Sequence, residues 1–177
     1  MQWRNNTDDS RPSRTKRIAV SAMMACLALI FSYVEAIIPF SVGIPGVKLG
    51  IANLVILIAL YEMSPRYAFA VNAIRILVAG LLFNGLFGAV YSLAGGLLSF
   101  LVMWGLKKTG LFSMTGVSMA GGVAHNMGQL LIASAIVANL KMFLYFPILM
   151  FSGLASGIAI GIVSQIICQR IPKQLFH

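Results

Sequence analysis

Apolar residues run along the chain in long blocks, separated by short polar or turn-forming segments. A helix that spans the hydrocarbon core of a bilayer needs about 20 mainly apolar residues, because each residue rises about 1.5 Å and the core is about 30 Å thick. The second block is short by this measure. The pattern predicts six transmembrane helices, at 18–38, 47–63, 66–84, 86–105, 116–139 and 142–168.

The segments between the blocks hold the residues that end helices and form turns. Two prolines and two glycines fall within 39–46, and Pro65 closes the tripeptide 63–65. Asparagines mark the turns at 84–85 and 139–141, and the segment 107–110 is basic and polar. Such residues favour turns between helices. We therefore expect five short connections outside the bilayer.

Composition agrees with a membrane protein. Hydrophobic residues make up 59% of the chain and charged residues 10%, whereas soluble domains carry about 25% charged residues. Beyond residue 17 the acids are Glu35 and Glu62. We predict an all-α integral membrane bundle of six transmembrane helices over 18–168, between a basic tail, 1–17, and a C-terminal tail, 169–177. The first tail is polar and without periodicity, so we expect it to be mobile.

The positive charge bears on orientation. The formal net charge is +9, but a nucleic-acid surface needs basic residues clustered on one folded face, and here they are scattered among loops. We therefore predict no nucleic-acid partner. Ten Lys and Arg fall on the side that carries both termini, and two, Lys48 and Lys141, on the other. The excess predicts a multi-pass protein of the cell membrane with both termini cytoplasmic.

Small residues recur at three- or four-residue spacing in three of the predicted spans, which favours close approach of helices in lipid. They are Gly153, Gly157 and Gly161 in the sixth span, Gly88, Ser92 and Gly96 in the fourth, and Ser21, Ala25 and Ala28 in the first. For the fourth and sixth spans, packing within the chain is the favoured interpretation. For the first span, docking of a partner is an equal alternative.

Several polar side chains lie at membrane depth, where such groups find partners or line a cavity. They are Glu35, Asn53, Asn72, Arg75, His125, Asn126, Gln129 and Gln165. On a helix, His125 and Gln129 share a face with Gly121. Asn126 lies on the neighbouring flank with Gly122. This sector is interpreted as an inward wall that hydrogen-bonds a planar polar molecule, with bonding to neighbouring helices as the alternative.

Arg75 needs compensation, because its guanidinium keeps its proton and costs about 2.5–3.5 kcal/mol at the centre of a membrane helix. Glu35, helix carbonyls or an anionic ligand group can provide it. In the segment 45–53, Lys48 and the free N–H groups of a helix start form a candidate site for an anion. The alternative for Lys48 is a lysine whose charge reaches the membrane surface.

Four stretches carry a resemblance to a known family: PGVKLGIANLVILIALY (45–61), NAIRILVAGLLF (72–83), YSLAGGLLSFLVM (91–103) and GVSMAGGVAHNMGQLLIA (116–133). They resemble the Gx transporter family, also called heptaprenyl diphosphate synthase component I. That family is similar to the S components of energy-coupling-factor transporters, six-helix membrane proteins that capture vitamins. The resemblance covers about residues 18–168.

The resemblance implies a substrate-binding subunit for a vitamin, flavin or cofactor-like molecule, with a site that faces outward. A transmembrane coupling protein and a pair of ABC-type ATPases would be its partners. The implied ligand-binding residues are Lys48, Asn53, Arg75, His125, Asn126 and Gln129. Docking would use the first helix at Ser21, Ala25 and Ala28, where the Ala-x-x-x-Ala pattern of S components is only approximated.

The second family name implies an enzyme subunit, and the residues argue against catalysis by this chain. Prenyl elongation needs aspartate clusters that hold magnesium, and residues 18–177 contain no aspartate. The sequence also has no phosphate-binding loop for ATP. Cys26 and Cys168 lack the spacing of a metal site. We expect no catalytic residue, cofactor or metal. A non-catalytic accessory role in polyprenyl diphosphate or quinone synthesis, and a purely structural bundle, stay as alternatives.

Overall fold

The computed structural model describes residues 14–37, 50–172 and Phe176, and within these every regular element is helical. The six helices are α1 (Arg14–Ile37), α2 (Ile51–Glu62), α3 (Pro65–Ala79), α4 (Gly85–Thr109), α5 (Met114–Val137) and α6 (Phe146–Arg170). A π-helical turn, Gly80–Asn84, extends α3, and a 3₁₀ helix, Leu140–Tyr145, leads into α6. The predicted all-α fold is confirmed.

The described part of the chain has five helical segments that are long and apolar enough to cross a membrane, judged by length and composition. The segment with α2 is the exception, because α2 is apolar but has 12 residues. At about 1.5 Å per residue, such a helix is shorter than the hydrocarbon core. The fold is that of a multi-pass membrane protein, with five candidate spans and one short apolar helix.

The structure moves several predicted helix boundaries, most clearly in α1 and α4. Helix α1 begins at Arg14, four residues inside the segment predicted as a tail, and residues 1–13 lie outside the described part. Helix α4 continues to Thr109, through the basic pair that predicted a break. The reason is a specific contact, since Lys107 Nζ donates to the carbonyl of Leu60 over 2.5 Å and lies 4.9 Å from the centroid of the Tyr61 ring.

Two predicted turns are confirmed. Ser64 is extended, with ψ of 145°, and Pro65 occupies the first turn of α3, where its missing N–H costs no hydrogen bond. Gly85 has φ of 65°, a left-handed value that glycine adopts without steric penalty. At the third turn Asn139 Oδ1 accepts from the N–H of Lys141 over 3.0 Å, so the asparagine holds the start of the 3₁₀ helix.

The helices form two groups of three. Helices α1, α2 and α3 contact one another, α5 packs against α4 and α6, and the groups meet where α3 contacts α4 and α2 contacts α6. Consecutive helices run in opposite directions. Both termini of the described bundle, the turn after α2 and the loop before α5 therefore share one end, which we call the terminal end.

The apolar core surrounds α2, in which residues 55–60 are all buried. The core cluster also takes in Ala25 and Ala28 of α1, Ala68 and Val71 of α3, Phe100 and Met103 of α4, and Val117 of α5. We call this set, with the buried residues of α2, the α2 core. It fills the half of the bundle towards the terminal end.

Glycines bring α5 and α6 into backbone contact. A Cβ built at Gly122 would lie 2.3 Å from the carbonyl oxygen of Gly153, and one at Gly157 would lie 2.6 Å from the Cα of Met119. A Cβ at Gly161 would lie 2.6 Å from the Cα of Thr115. The glycine groove of the sixth span is therefore used for packing within the chain.

Candidate functional site

A polar cavity adjoins the α2 core, with Met103 in the wall of both, and extends towards the end of the bundle away from the terminal end. Its volume is about 70 Å³, several times the 10–15 Å³ or so that one buried water needs. All six helices contribute to its wall. The lining residues are Ser32, Glu35, Ala36, Gly50, Asn53, Arg75, Ile76, Ala79, Ser92, Ser99, Met103, Ser118, Gly121, Gly122, His125, Asn126, Gln129, Ser156 and Ile160. Ala36 is exposed, so the cavity reaches the end of the bundle at the close of α1.

Two adjacent glycines of α4 bring the predicted polar residues together. A Cβ built at Gly95 would lie 2.7 Å from Cγ of Gln129 and 3.1 Å from Cε1 of His125. One at Gly96 would lie 2.4 Å from Cδ1 of Ile76 and 3.6 Å from Nη2 of Arg75. Gly95 and Gly96 have no side chain, so α5 and α3 can approach α4 closely on either side. A larger residue at either position would collide with them. Arg75 and Gln129 consequently flank the same turn of α4.

Arg75 is 8% exposed and is held from one side. Its Nη2 donates to Oδ1 of Asn72 over 3.0 Å, and Nδ2 of that asparagine donates to the carbonyl of Gly96 over 3.1 Å. The Glu35 carboxylate, of opposite charge, borders the same cavity as Arg75. Compensation from within the chain, one of the alternatives to an anionic ligand expected from the sequence, is therefore present. The Nε of Arg75 has no hydrogen-bond partner among the described residues.

Gln129 and Ser99, which line the same cavity as Arg75, also have buried polar atoms without a hydrogen-bond partner among the described residues. Gln129 is 2% exposed and Ser99 is 1% exposed. Neither Nε2 of Gln129 nor Oγ of Ser99 has a hydrogen-bond partner in the part of the chain that the structure describes. A buried donor left unsatisfied costs about 1–3 kcal/mol. Three such groups around one cavity are an arrangement suited to binding a polar molecule.

The predicted division of α5 into two faces is confirmed. Gly121 and Gln129 face α4, since a Cβ at Gly121 would lie 2.5 Å from Cγ of Met103. Gly122 and Asn126 face α6, where Nδ2 of Asn126 donates to the carbonyl of Leu149 over 2.6 Å. Asn126 thus has the helix-bonding role that was the alternative to ligand contact, although it also borders the cavity.

The glycine pair of α5 lies against neighbouring helices. Because glycine has no side chain, Gly121 and Gly122 could admit either another backbone or a flat ligand. Both are in contact with neighbouring helices, α4 for the first and α6 for the second. Their lack of a side chain permits close helix packing, and both glycines also border the cavity together with the polar residues further along α5.

The start of α2 is bound by a residue of the chain itself. Oε1 of Glu35 accepts the N–H of Ile51 over 2.5 Å, which is the electrostatically favoured position for a carboxylate at a helix N-terminus. Gly50, with φ of 69°, precedes it. The anion position predicted here is therefore occupied by Glu35. Asn53 is half-buried and borders the cavity, whereas Lys48 lies outside the described residues.

The residues predicted to dock a partner are placed mainly inside the chain. Ala25 is 6% exposed and Ala28 0%, both in the α2 core. Ser21 is half-buried, and its hydroxyl donates to the carbonyl of Arg17 over 2.8 Å. The exposed flank of α1 includes Met23 and Ile30 instead. Packing within the chain, one of the two interpretations kept for this stripe, accounts for both alanines.

Sequence reasoning missed Ser99, and it treated Glu35 only as a charge partner. The signal for Ser99 was its position four residues after Gly95, on the face of α4 that a small-residue stripe already marked. No comparable signal placed Glu35 at the start of α2, since that contact joins residues 16 positions apart on different helices. Among the described residues no group of three or more His, Cys, Asp or Glu side chains could hold a metal ion.

The fold and the cavity define a helical membrane protein with a buried polar site. A sequence profile of the family described as heptaprenyl diphosphate synthase component I matches residues 24–167. This is most of the chain, so the protein belongs to that family. No curated protein and no solved structure matches the chain.

Proposed function

We propose that the chain is the substrate-binding membrane subunit of a small-molecule transporter, and that the polar cavity is its binding site. The observation that carries this is the convergence of the unsatisfied buried groups of Arg75, Gln129 and Ser99 on one cavity. A bundle held together by polar bonds alone would be expected to satisfy these groups between helices, as it does for Asn126.

The position of the cavity supports a transport role. It lies against the end of the bundle where α1 closes and α2 begins, at Ala36 and Gly50. The excess of basic residues on the terminal end favours the cytoplasm there, and the cavity end then faces outward. A small molecule arriving from outside would meet the cavity before the α2 core, which closes the other half of the bundle.

Movement of the ligand would require partners. The chain has no phosphate-binding loop, so ATP hydrolysis would come from a separate ATPase module through a coupling membrane protein. We also propose that the chain is not itself an enzyme. Residues 18–177 hold no aspartate, and the magnesium-dependent chemistry of diphosphates relies on clustered carboxylates.

A second function is favoured by the family description. The chain would then be a non-catalytic membrane component of heptaprenyl diphosphate synthesis, bound to a soluble synthase at its basic terminal end. Deletion of the chain separates the two functions, because loss of a synthase component shortens or abolishes the polyprenyl products. Unchanged products would remove this alternative.

The proposed site is tested by the molecules that stay bound during purification. Protein in lipid nanodiscs is denatured, and the released small molecules are identified by mass spectrometry. We expect a compound enriched with the wild-type protein and lost with Arg75→Gln. The control is Arg66→Gln, because Arg66 is exposed at the start of α3 and its loss should leave the compound bound. No enriched compound with any folded preparation would contradict the proposal.

A further inference from the structure

The hydrogen-bonding character of the cavity restricts the chemistry of its ligand. The Nε of Arg75 and the Nε2 of Gln129 can only donate, and both are buried without a partner among the described residues. Ser99 adds a hydroxyl that can also donate. A molecule that satisfies these groups must present acceptor atoms, such as the oxygens of a carboxylate or of carbonyl groups, to this side of the cavity.

The packing around α4 keeps these donors close to one another. Gly95 is in contact with Gln129 and Gly96 lies next to Nη2 of Arg75, so both side chains border one helical turn. Ser99 follows Gly95 by one turn on α4. The acceptors of the ligand must therefore be neighbours in its structure. A carboxylate has this arrangement, and so does an amide or imide edge.

The charges of the cavity limit the charge of the ligand. Among the described lining residues, Arg75 is the one Lys or Arg, and Glu35 is the one acid. A phosphate monoester carries a charge of about −1.5 to −2 at pH 7. Arg75 could balance at most one unit of that charge, and the rest would be buried without a counter-charge among the described residues, which is strongly unfavourable in a low dielectric.

We infer that the cavity binds the acceptor head of a molecule with at most one negative charge, a carboxylate or a neutral amide or imide, and that it excludes phosphate esters and diphosphates. This inference rests on the proposed binding function and narrows it. It also separates the cavity from the substrates of prenyl synthesis, whose diphosphates would need several cations. Apolar residues such as Ile76 and Ile160 in the wall suit the remainder of an organic ligand.

The test uses three probes that share one ring and differ in their head: benzamide, benzoate and phenyl phosphate. Each is added at increasing concentration to purified protein in nanodiscs, and the midpoint of thermal unfolding is followed. A ligand that binds only the folded state raises the midpoint by an amount that grows with the logarithm of one plus the ratio of the free ligand concentration to Kd. We expect benzamide or benzoate to raise it and phenyl phosphate to leave it unchanged.

Gln129→Met tests whether the response comes from the cavity. Methionine is similar in size but cannot donate, so the dissociation constant for the responding probe should rise about five- to tenfold. Without probe the variant should melt at or above the wild-type temperature, because an unsatisfied buried donor has been removed. The matched control is Gln165→Met, on the exposed side of α6, which should change neither quantity.

Two results would overturn the inference. One is a larger rise of the unfolding midpoint with phenyl phosphate than with the other probes, lost in Gln129→Met. The cavity would then be a binding site for phosphate esters. The other is no response to any probe. The compounds released from the wild-type protein then show whether a ligand binds at all, so this failure is distinguished from failure of the proposed function.

Discussion

The α2 core and the polar cavity are adjacent regions of one bundle, and they use buried space in opposite ways. In the α2 core the buried side chains are apolar and in contact with one another, with α2 at the centre. In the cavity, buried side chains carry a charge, an amide and a hydroxyl with unsatisfied atoms. The α2 core therefore provides stability, and the cavity holds the proposed binding site.

The difference has a physical basis in the membrane. Lipid supplies no hydrophobic force that drives helices together, so helix association depends on packing and on hydrogen bonds. The α2 core and the glycine contacts of α5 with α6 supply the packing. The bonds of Asn72 and Asn126 fix helices at the edge of the cavity. With stability provided there, the remaining polar groups are available for a ligand.

The largest expected effect is on the α2 core. Leu57 is fully buried, and Leu57→Ala should lower the free energy of unfolding by about 2–3 kcal/mol, towards the low end of the range for soluble cores. Chemical unfolding in nanodiscs measures this. The folded fraction of this variant should bind benzamide or benzoate with the wild-type affinity. The control Leu101→Ala, at a 54% exposed site on α4, should be close to neutral.

A smaller loss is expected at the contact of α5 with α6. A Cβ at Gly153 would lie 2.8 Å from the carbonyl oxygen of Gly122, so Gly153→Ala must separate the helices, at about 1–3 kcal/mol. Gly105 has no atom within 4 Å of its Cβ position. There Gly105→Ala should be neutral or stabilising, since alanine favours a helix by about 1 kcal/mol over glycine. Equal melting temperatures for the two variants would contradict the packing described.

Asn126 and Gln129 are a bonded and an unsatisfied amide in the wall of the same cavity. Asn126→Leu removes the bond to the Leu149 carbonyl, and a polar bond between membrane helices contributes about 0.6 kcal/mol on average and up to about 1.7. We expect a loss of stability in this range. Gln129→Met, about one turn further along α5, should show no loss of stability. If both variants lost stability equally, the distinction between bonded and unsatisfied polar groups would fail.

The smallest effect is expected at the terminal end. Lys107→Met removes the contact with the Leu60 carbonyl and with the Tyr61 ring, together about 0.5–1 kcal/mol at a half-buried site. The thermal midpoint should fall slightly, with probe affinity unchanged. Lys108 is exposed, so Lys108→Met serves as the control. A larger change in probe affinity than in stability would link this end to the cavity.

Much of the fold follows from the sequence because it depends on local patterns. Apolar length predicted the helical segments, Pro65 and Gly85 marked turns, and the spacing of Gly121, Asn126 and Gln129 predicted two faces of α5. These features depend on helical periodicity and on the preferences of single residues. The extension of α4 past Lys107 was missed, because the partner of that lysine is 47 residues away.

The site was predictable in part for the same reason. Arg75, His125 and Gln129 were noticed because polar groups at membrane depth are costly, and the structure brings all three to one cavity. Asn126 both donates to a neighbouring helix and borders the cavity. Its helix contact depends on the position of the α6 backbone, which the sequence does not show. The bond of Glu35 to Ile51 similarly requires the end of α1 to meet the start of α2.

The proposed site depends most on the unsatisfied donors of Arg75 and Gln129, and an experimental structure in a lipid nanodisc, at a resolution that shows ordered small molecules, tests this directly. We expect a non-protein feature larger than water, within hydrogen-bonding distance of Nε of Arg75 and Nε2 of Gln129. A cavity closed by the helices, with both nitrogens bonded to protein carbonyls or side chains, would contradict it.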